Sequence, residues 1–182
     1  MDSVWMKNYL EVINEANITD KHFIWVDFSW LNFSWKNFCD CKFEKCNLSN
    51  IKVEEATFNG INFINSKLMW IKFNELKKLL LNFSLLDCNI NLCCFNWLNL
   101  KNMSFEGSNV LESDFYNTKL EWVNFTYCNM KESILENTNL KKTNFNWAIN
   151  ISIDPNTNYL NKTEFSRDNV VWLLETLDIV IN

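Results

Sequence analysis

Glycine and proline are almost missing from this chain: two of the first and one of the second in 182 residues. That leaves no room for a flexible linker, so the length reads as one domain. It also leaves no Gly-rich loop to cradle phosphates. His22 is the only histidine, which supplies neither a His-based general base nor a zinc ligand set. No nucleophile motif is present. No run approaches the ~18–20 apolar residues of a membrane span. The opening stretch carries Asp2, Glu11, Glu15 and Asp20 and no long apolar segment, which argues against a signal peptide. The net charge of -5 is modest and lacks the basic stripe of a general nucleic-acid binder. The expectation is a soluble, cytoplasmic, non-enzymatic protein with no cofactor, no metal, no direct nucleic-acid contact and no membrane partner.

What the chain does have is a five-residue beat. Phe23, Phe28, Phe33, Phe38 and Phe43 fall at strict intervals of five, and the series runs on through Leu48, Val53, Phe58, Phe63, Leu68 and Phe73. It resumes, shifted by two, at Ile90 and continues through Phe95, Leu100, Phe105, Val110, Phe115, Leu120, Phe125, Met130, Leu135, Leu140 and Phe145. Five matches neither the period of a helix nor that of a strand. A second inward position resolves this. Two residues before most centres sits a small side chain, as at Cys41, Cys46, Ala56, Ser66, Cys88, Cys93, Ser108, Ser113, Thr118 and Cys128. Each unit then reads in, out, in, out, out: a short extended piece followed by a corner. Between the inward pair the chain often places Asn or Asp, as at Asp27, Asn32, Asn47, Asn89, Asp114, Asn124 and Asn144. Such side chains bond local backbone and favour turns. Corners repeated at a fixed short period make a stacked coil.

At these residues the chain resembles the pentapeptide-repeat family, whose unit is a small residue, Asn or Asp, Leu or Phe, then two variable residues. Ala16-Asn17-Ile18-Thr19-Asp20 is one such unit. The resemblance implies an all-β solenoid, a right-handed quadrilateral β-helix with four units per coil. Five of the seven cysteines (Cys41, Cys46, Cys88, Cys93 and Cys128) occupy the small inward slot, where a reduced thiol is a compact hydrophobe. That reading is set against a zinc or disulfide site suggested by Cys39-x-Cys41 and Cys93-Cys94.

Three segments follow. Residues 1–15 form an N-terminal cap, with a short helix suggested by the spacing of Val4, Trp5, Tyr9, Val12 and Ile13. Residues 16–150 form the β-helix, irregular at 74–87 because Phe73 and Ile90 are three fives plus two apart. Residues 151–182 form a turn, a helix of about 167–177 capped by Ser166, and a β-like tail. This last stretch resembles the C-terminal module of quinolone-resistance (Qnr), albicidin-resistance and microcin-immunity pentapeptide proteins. The resemblance implies a capping and homodimerisation helix, with Val170, Leu173, Leu174, Leu177 and Ile179 at the contact.

Outward positions carry the functional information. Trp25, Trp30, Trp35, Trp70, Trp97, Trp122 and Trp147 all sit two residues after a centre. With about twenty residues per coil, Tyr127 lies under Trp147, Glu112 stacks with Glu132, and Asp114 and Glu136 share the neighbouring face, interrupted only by Lys131. The plain reading is a solubilising surface, with residues 1–15 covering the first three tryptophans. The sharper one follows from the resemblance. Qnr-type relatives bind DNA gyrase and topoisomerase IV, apparently by imitating DNA. The alternative is a scaffold module that meets an unrelated protein through the aromatic columns.

Overall fold

A computed structural model describes residues 2–4 and 9–170. Parallel pairings join each residue to one twenty positions on, as in His22↔Lys42, Asp27↔Asn47, Asn32↔Lys52 and Asn37↔Thr57. A repeat of twenty built from fives gives four sides, so the chain is a four-sided β-helix. The first face carries the centres Ile18, Phe38, Phe58, Leu100, Leu120 and Leu140; the second, Phe23, Phe43, Phe63, Leu85, Phe105, Phe125 and Phe145. The third carries Phe28, Leu48, Leu68, Ile90, Val110 and Met130; the fourth, Phe33, Val53, Phe73, Phe95, Phe115 and Leu135. All of these side chains are buried in one core. Rings stack along its axis, as in Phe95–Phe115 at 4.8 Å and Phe125–Phe145 at 5.3 Å.

Among the described residues, longer extended stretches are confined to the N-terminal half. β2 (Asn17–Thr19), β4 (Asn37–Cys39) and β6 (Thr57–Asn59) form a sheet on the first face. β1 (Asp2–Val4), β3 (Lys21–Ile24), β5 (Lys42–Glu44), β7 (Ile61–Ile64) and β8 (Phe83–Leu86) form one on the second. Elsewhere each side is a single bridging residue between turns.

Two side-chain devices make the unit. The Asn or Asp between the inward pair accepts the amide two residues on, as in Ser29 N to Asp27 Oδ1 at 2.8 Å and Thr126 N to Asn124 Oδ1 at 2.9 Å. That bond sets the turn. The small inward residue donates to the carbonyl of a centre in the preceding coil: Ser113 Oγ to Ile90 O at 2.7 Å, Thr118 Oγ1 to Phe95 O at 2.9 Å, Cys128 Sγ to Phe105 O at 2.9 Å. Ser66 bonds the preceding coil in both roles, donating to Phe43 O and accepting from Cys46 N. Small hydroxyls and thiols are therefore buried but satisfied. All seven cysteines are free thiols.

The beat breaks more narrowly than the sequence suggests, and it resumes one unit earlier. Leu85, not Ile90, is the first centre after the slip: it is fully buried and pairs with Phe63. The irregular part is 74–82. A 3-10 turn at Phe73–Glu75 leads off the fourth face, and Lys77 N then bonds Ala56 O while Asn82 N bonds Phe58 O. These residues cross above β6 where a first-face unit belongs. With that centre missing, Phe83 takes the small slot of the next unit, its ring 5.5 Å from Phe73 and 6.3 Å from Phe105. A large side chain in a small slot fills the core that the irregular segment left open.

At the N-terminal end, β1 pairs with β3, and α1 (Tyr9–Ile13) sets Tyr9 edge-on to Phe28 at 5.3 Å. At the other end, Asp154 turns the chain by accepting Asn156 N at 2.8 Å. The coil register then returns beyond residue 150: Tyr159 bridges Asn139, Glu164 bridges Asn144, and Phe165 stacks on Phe145 at 5.5 Å. The Ser166 hydroxyl accepts from Trp147 N at 3.3 Å. Val170 is the last described residue of the expected dimer contact and is exposed; Leu173, Leu174, Leu177 and Ile179 lie outside the described residues.

Candidate interaction surface

Every corner of the coil needs a residue in the left-handed region, and this chain fills seven of them with tryptophan. Trp25, Trp30, Trp35, Trp70, Trp97, Trp122 and Trp147 all have φ between 57° and 66°. A bulky residue there is a genuine outlier, strained relative to Gly or Asn. The hydrogen-bonded coil imposes the conformation, and the side chain leaves the rod. The first three are open, at 60%, 75% and 68% exposure, so the described part of the N-terminal segment, residues 2–4 and 9–15, does not cover them. Others lean on a neighbour in the next coil. Lys45 Nζ lies 4.9 Å over Trp25 and Lys142 Nζ 3.8 Å over Trp122. At the corner between the second and third faces the Tyr127 and Trp147 rings stack at 5.2 Å and 9°, both more than half exposed.

The four acids fall along the next corner. Glu112 and Glu132 occupy successive corner positions between the third and fourth faces, each with a left-handed backbone. Asp114 bridges Ile134 on the fourth face, one residue before Leu135 and two before Glu136. Their chemistry differs. Glu112 and Glu136 are exposed, Glu132 is exposed beside Lys131 at 3.4 Å, and Asp114 is half-buried and occupied. Its carboxylate accepts Asn96 Nδ2 at 2.7 Å and Tyr116 N at 2.9 Å. Asn124 likewise holds Glu106 at 3.1 Å, and Asn139 holds Glu121 at 2.9 Å. The sequence reading missed these clamps; their trace is an Asn and an acid eighteen residues apart.

Titratable groups elsewhere are structural. His22 bonds Glu44 at 3.0 Å, and Lys42 meets the same oxygen at 2.8 Å. Lys42 first, and His22 after it, holds the Glu44 carboxyl below its ordinary range. Burial pushes the Cys46 thiol up to about 11 and those of Cys88, Cys93 and Cys128 to about 12, the reverse of an activated nucleophile. Among the described residues no group of His, Cys, Asp and Glu is placed to hold a metal ion, and no helix is long and apolar enough to cross a membrane.

A sequence model of pentapeptide repeats matches eight copies, over residues 22–60, 93–131 and 118–149. The chain belongs to the pentapeptide-repeat family. Within the family, its fold is that of QnrB1, a plasmid-mediated fluoroquinolone resistance protein. One trypsin-treated form of QnrB1 superposes at a TM-score of 0.59 with 16% identity, covering 91% of this chain and 90% of that one. A second superposes at 0.59 with 13% identity, covering 100% and 99%. Comparison with curated protein sequences finds no match.

Proposed function

We propose that this pentapeptide-repeat protein is a non-catalytic DNA mimic that binds bacterial DNA gyrase or topoisomerase IV and confers resistance or immunity to a topoisomerase inhibitor. One observation carries the reading: the chain follows the QnrB1 fold over nine-tenths of both chains. The acidic corner supports it. Glu112 and Glu132 present carboxylates one coil apart on one edge of the rod, with Glu136 on the adjoining face, as phosphates line a duplex. Asp114 contributes less, because Asn96 and the Tyr116 amide already hold it. The mimicry is one-sided, confined to that edge. The homodimer belongs to the same proposal, with Val170, Leu173, Leu174, Leu177 and Ile179 as its contact. Charging Leu173 or Leu177 is expected to yield monomers in light scattering, and an unchanged dimer mass places the contact elsewhere.

Supercoiling by purified gyrase, with and without a quinolone, tests the function. Protection that weakens in Glu112→Lys/Glu132→Lys supports it. No binding and no effect at micromolar protein would sink it.

The Tyr127–Trp147 stack favours a second reading, a scaffold module for an unrelated protein partner. An exposed parallel stack of two aromatic rings is a ready contact surface. Pull-down from lysate separates the two: topoisomerase subunits support the first, and a different partner lost in Tyr127→Ala/Trp147→Ala supports the second.

A further inference from the structure

Charge on the later coils is sorted by face. Eight lysines follow Phe73, and seven of them lie on the first face or its corner with the second; only Lys131 does not. Lys77 and Lys78 are on the irregular segment that crosses above β6. Lys119 bridges Asn99 and Asn139 on the face itself, and Lys101 and Lys141 each follow one of those asparagines by two residues. Lys142 and Lys162 take the corner, with left-handed backbones. All but Lys142 are exposed. Glu54, Glu55 and Glu75 line a cavity with Lys77 and Lys78 at the near end of this surface; from there to Lys162 its one carboxylate is Glu121, and Asn139 holds it. The corner of Glu112 and Glu132 is diagonally opposite. The rod therefore has a positive side and a negative edge despite its net charge of -5.

The positive side also carries apolar groups that water should disfavour. Leu79 and Leu80 stand 67% and 64% exposed at the irregular segment, directly after Lys77 and Lys78. Leu80 has a φ of 62°, so the backbone itself is turned to present the pair. Tyr159, 54% exposed, lies on the same face in the column of Asn139 and Lys119.

We propose that this face docks on an anionic lipid surface, with the lysines over the headgroups and Leu79–Leu80 inserted at the interface. The composition of the face selects this occupant. Lysines act as point charges without the bidentate geometry that reads a defined phosphate. A flat array of them suits a diffuse negative plane, where each is worth about fivefold in binding. Two adjacent exposed leucines gain nothing against a sugar–phosphate backbone but gain burial at a headgroup–acyl boundary. Docking of a face needs no spanning segment, so it is compatible with the absence of one among the described residues. This mode departs from the expectation of no membrane partner, which rests on the lack of spans and leaders; docking of a face uses neither.

Co-sedimentation of the full chain with vesicles tests this, comparing pure phosphatidylcholine with phosphatidylcholine containing about 30 mol% phosphatidylserine. Binding is expected only to the anionic vesicles, and it should weaken between about 0.05 and 0.5 M salt. Lys119→Glu/Lys141→Glu should lower it by at least about tenfold. Leu79→Ser/Leu80→Ser should weaken it at every salt concentration. Lys131→Glu, on another face, should leave it unchanged. These are exposed side chains, and an unaltered circular dichroism spectrum establishes that each variant folds. No binding to anionic vesicles at low salt overturns the proposal. So does binding indifferent to Lys119→Glu/Lys141→Glu, or tighter binding to a single-stranded or duplex oligonucleotide under the same conditions.

Discussion

Tyr127 and Trp147 stack face to face at 5.2 Å and 9° on one corner of the rod, twenty residues apart in sequence and one coil apart in space. Both rings lie outside the core, so their removal should spare the fold. Tyr127→Ala/Trp147→Ala is expected to cost about 0.5–1.5 kcal/mol, the range for an aromatic pair. Urea denaturation measures this, and a loss above about 3 kcal/mol would show that the pair is part of the core.

Phe115 is the opposite case. It is fully buried, stacked on Phe95 at 4.8 Å and edge-on to Phe125 at 5.8 Å. Phe115→Ala should cost about 3–5 kcal/mol, because coils locked by hydrogen bonds above and below cannot collapse into the hole. Chemical denaturation checks it; a loss under about 1 kcal/mol contradicts the inward assignment.

The corner tryptophans should be improvable. Trp30 is the most exposed of them, at 75%, with a φ of 66°. Trp30→Gly relieves a left-handed cost of about 1–2 kcal/mol and incurs about 0.5–1 kcal/mol of glycine entropy. The expected outcome is a slight gain in stability, read as a rise in the denaturation midpoint. A clear loss would mean that the ring makes stabilising contacts.

The buried thiols predict alkaline sensitivity. Their folded values, near 11 for Cys46 and 12 for Cys88, Cys93 and Cys128, lie above the ordinary 9.0 because burial disfavours the thiolate. The folded chain holds protons that the unfolded chain releases. This contribution is complete below pH ~9 and is lost as pH rises toward 12. Cys128→Ala should shallow the decline measured between pH 8 and 10.5. Under native conditions a thiol reagent should reach the half-buried Cys39 and Cys94 and spare the five buried cysteines. Rapid labelling of Cys93 would refute the placement.

How much was legible in the sequence differs from feature to feature. The centres, the small slot and the Asn or Asp between them were readable because each depends on spacing alone. The break was readable as a two-residue excess, but not its limits. Phe83 looks like filler until its ring is seen in the space of a missing first-face centre. Asp114 looks like a free acid until Asn96 is found beside it. Gly60 and Gly107 fall on the corner position like any other, yet each has a φ of 67° and lies so close above an aspartate, Asp40 or Asp87, that an added Cβ would come within 2.3 Å of its carboxylate oxygen.

The sequence by itself determined the stacked coil, the buried ladder and the inert cysteines, since a period repeated over more than twenty units constrains every copy to one backbone. Tertiary structure decided what the outward residues do. Which face a lysine after the slip belongs to depends on a coil that is twenty-two residues long instead of twenty, as in Lys67↔Asn89 and Lys72↔Cys94. Whether a carboxylate is free depends on an amide reaching it across coils. Both are contacts between residues far apart in the chain, and periodicity sets their neighbourhood without setting their partners.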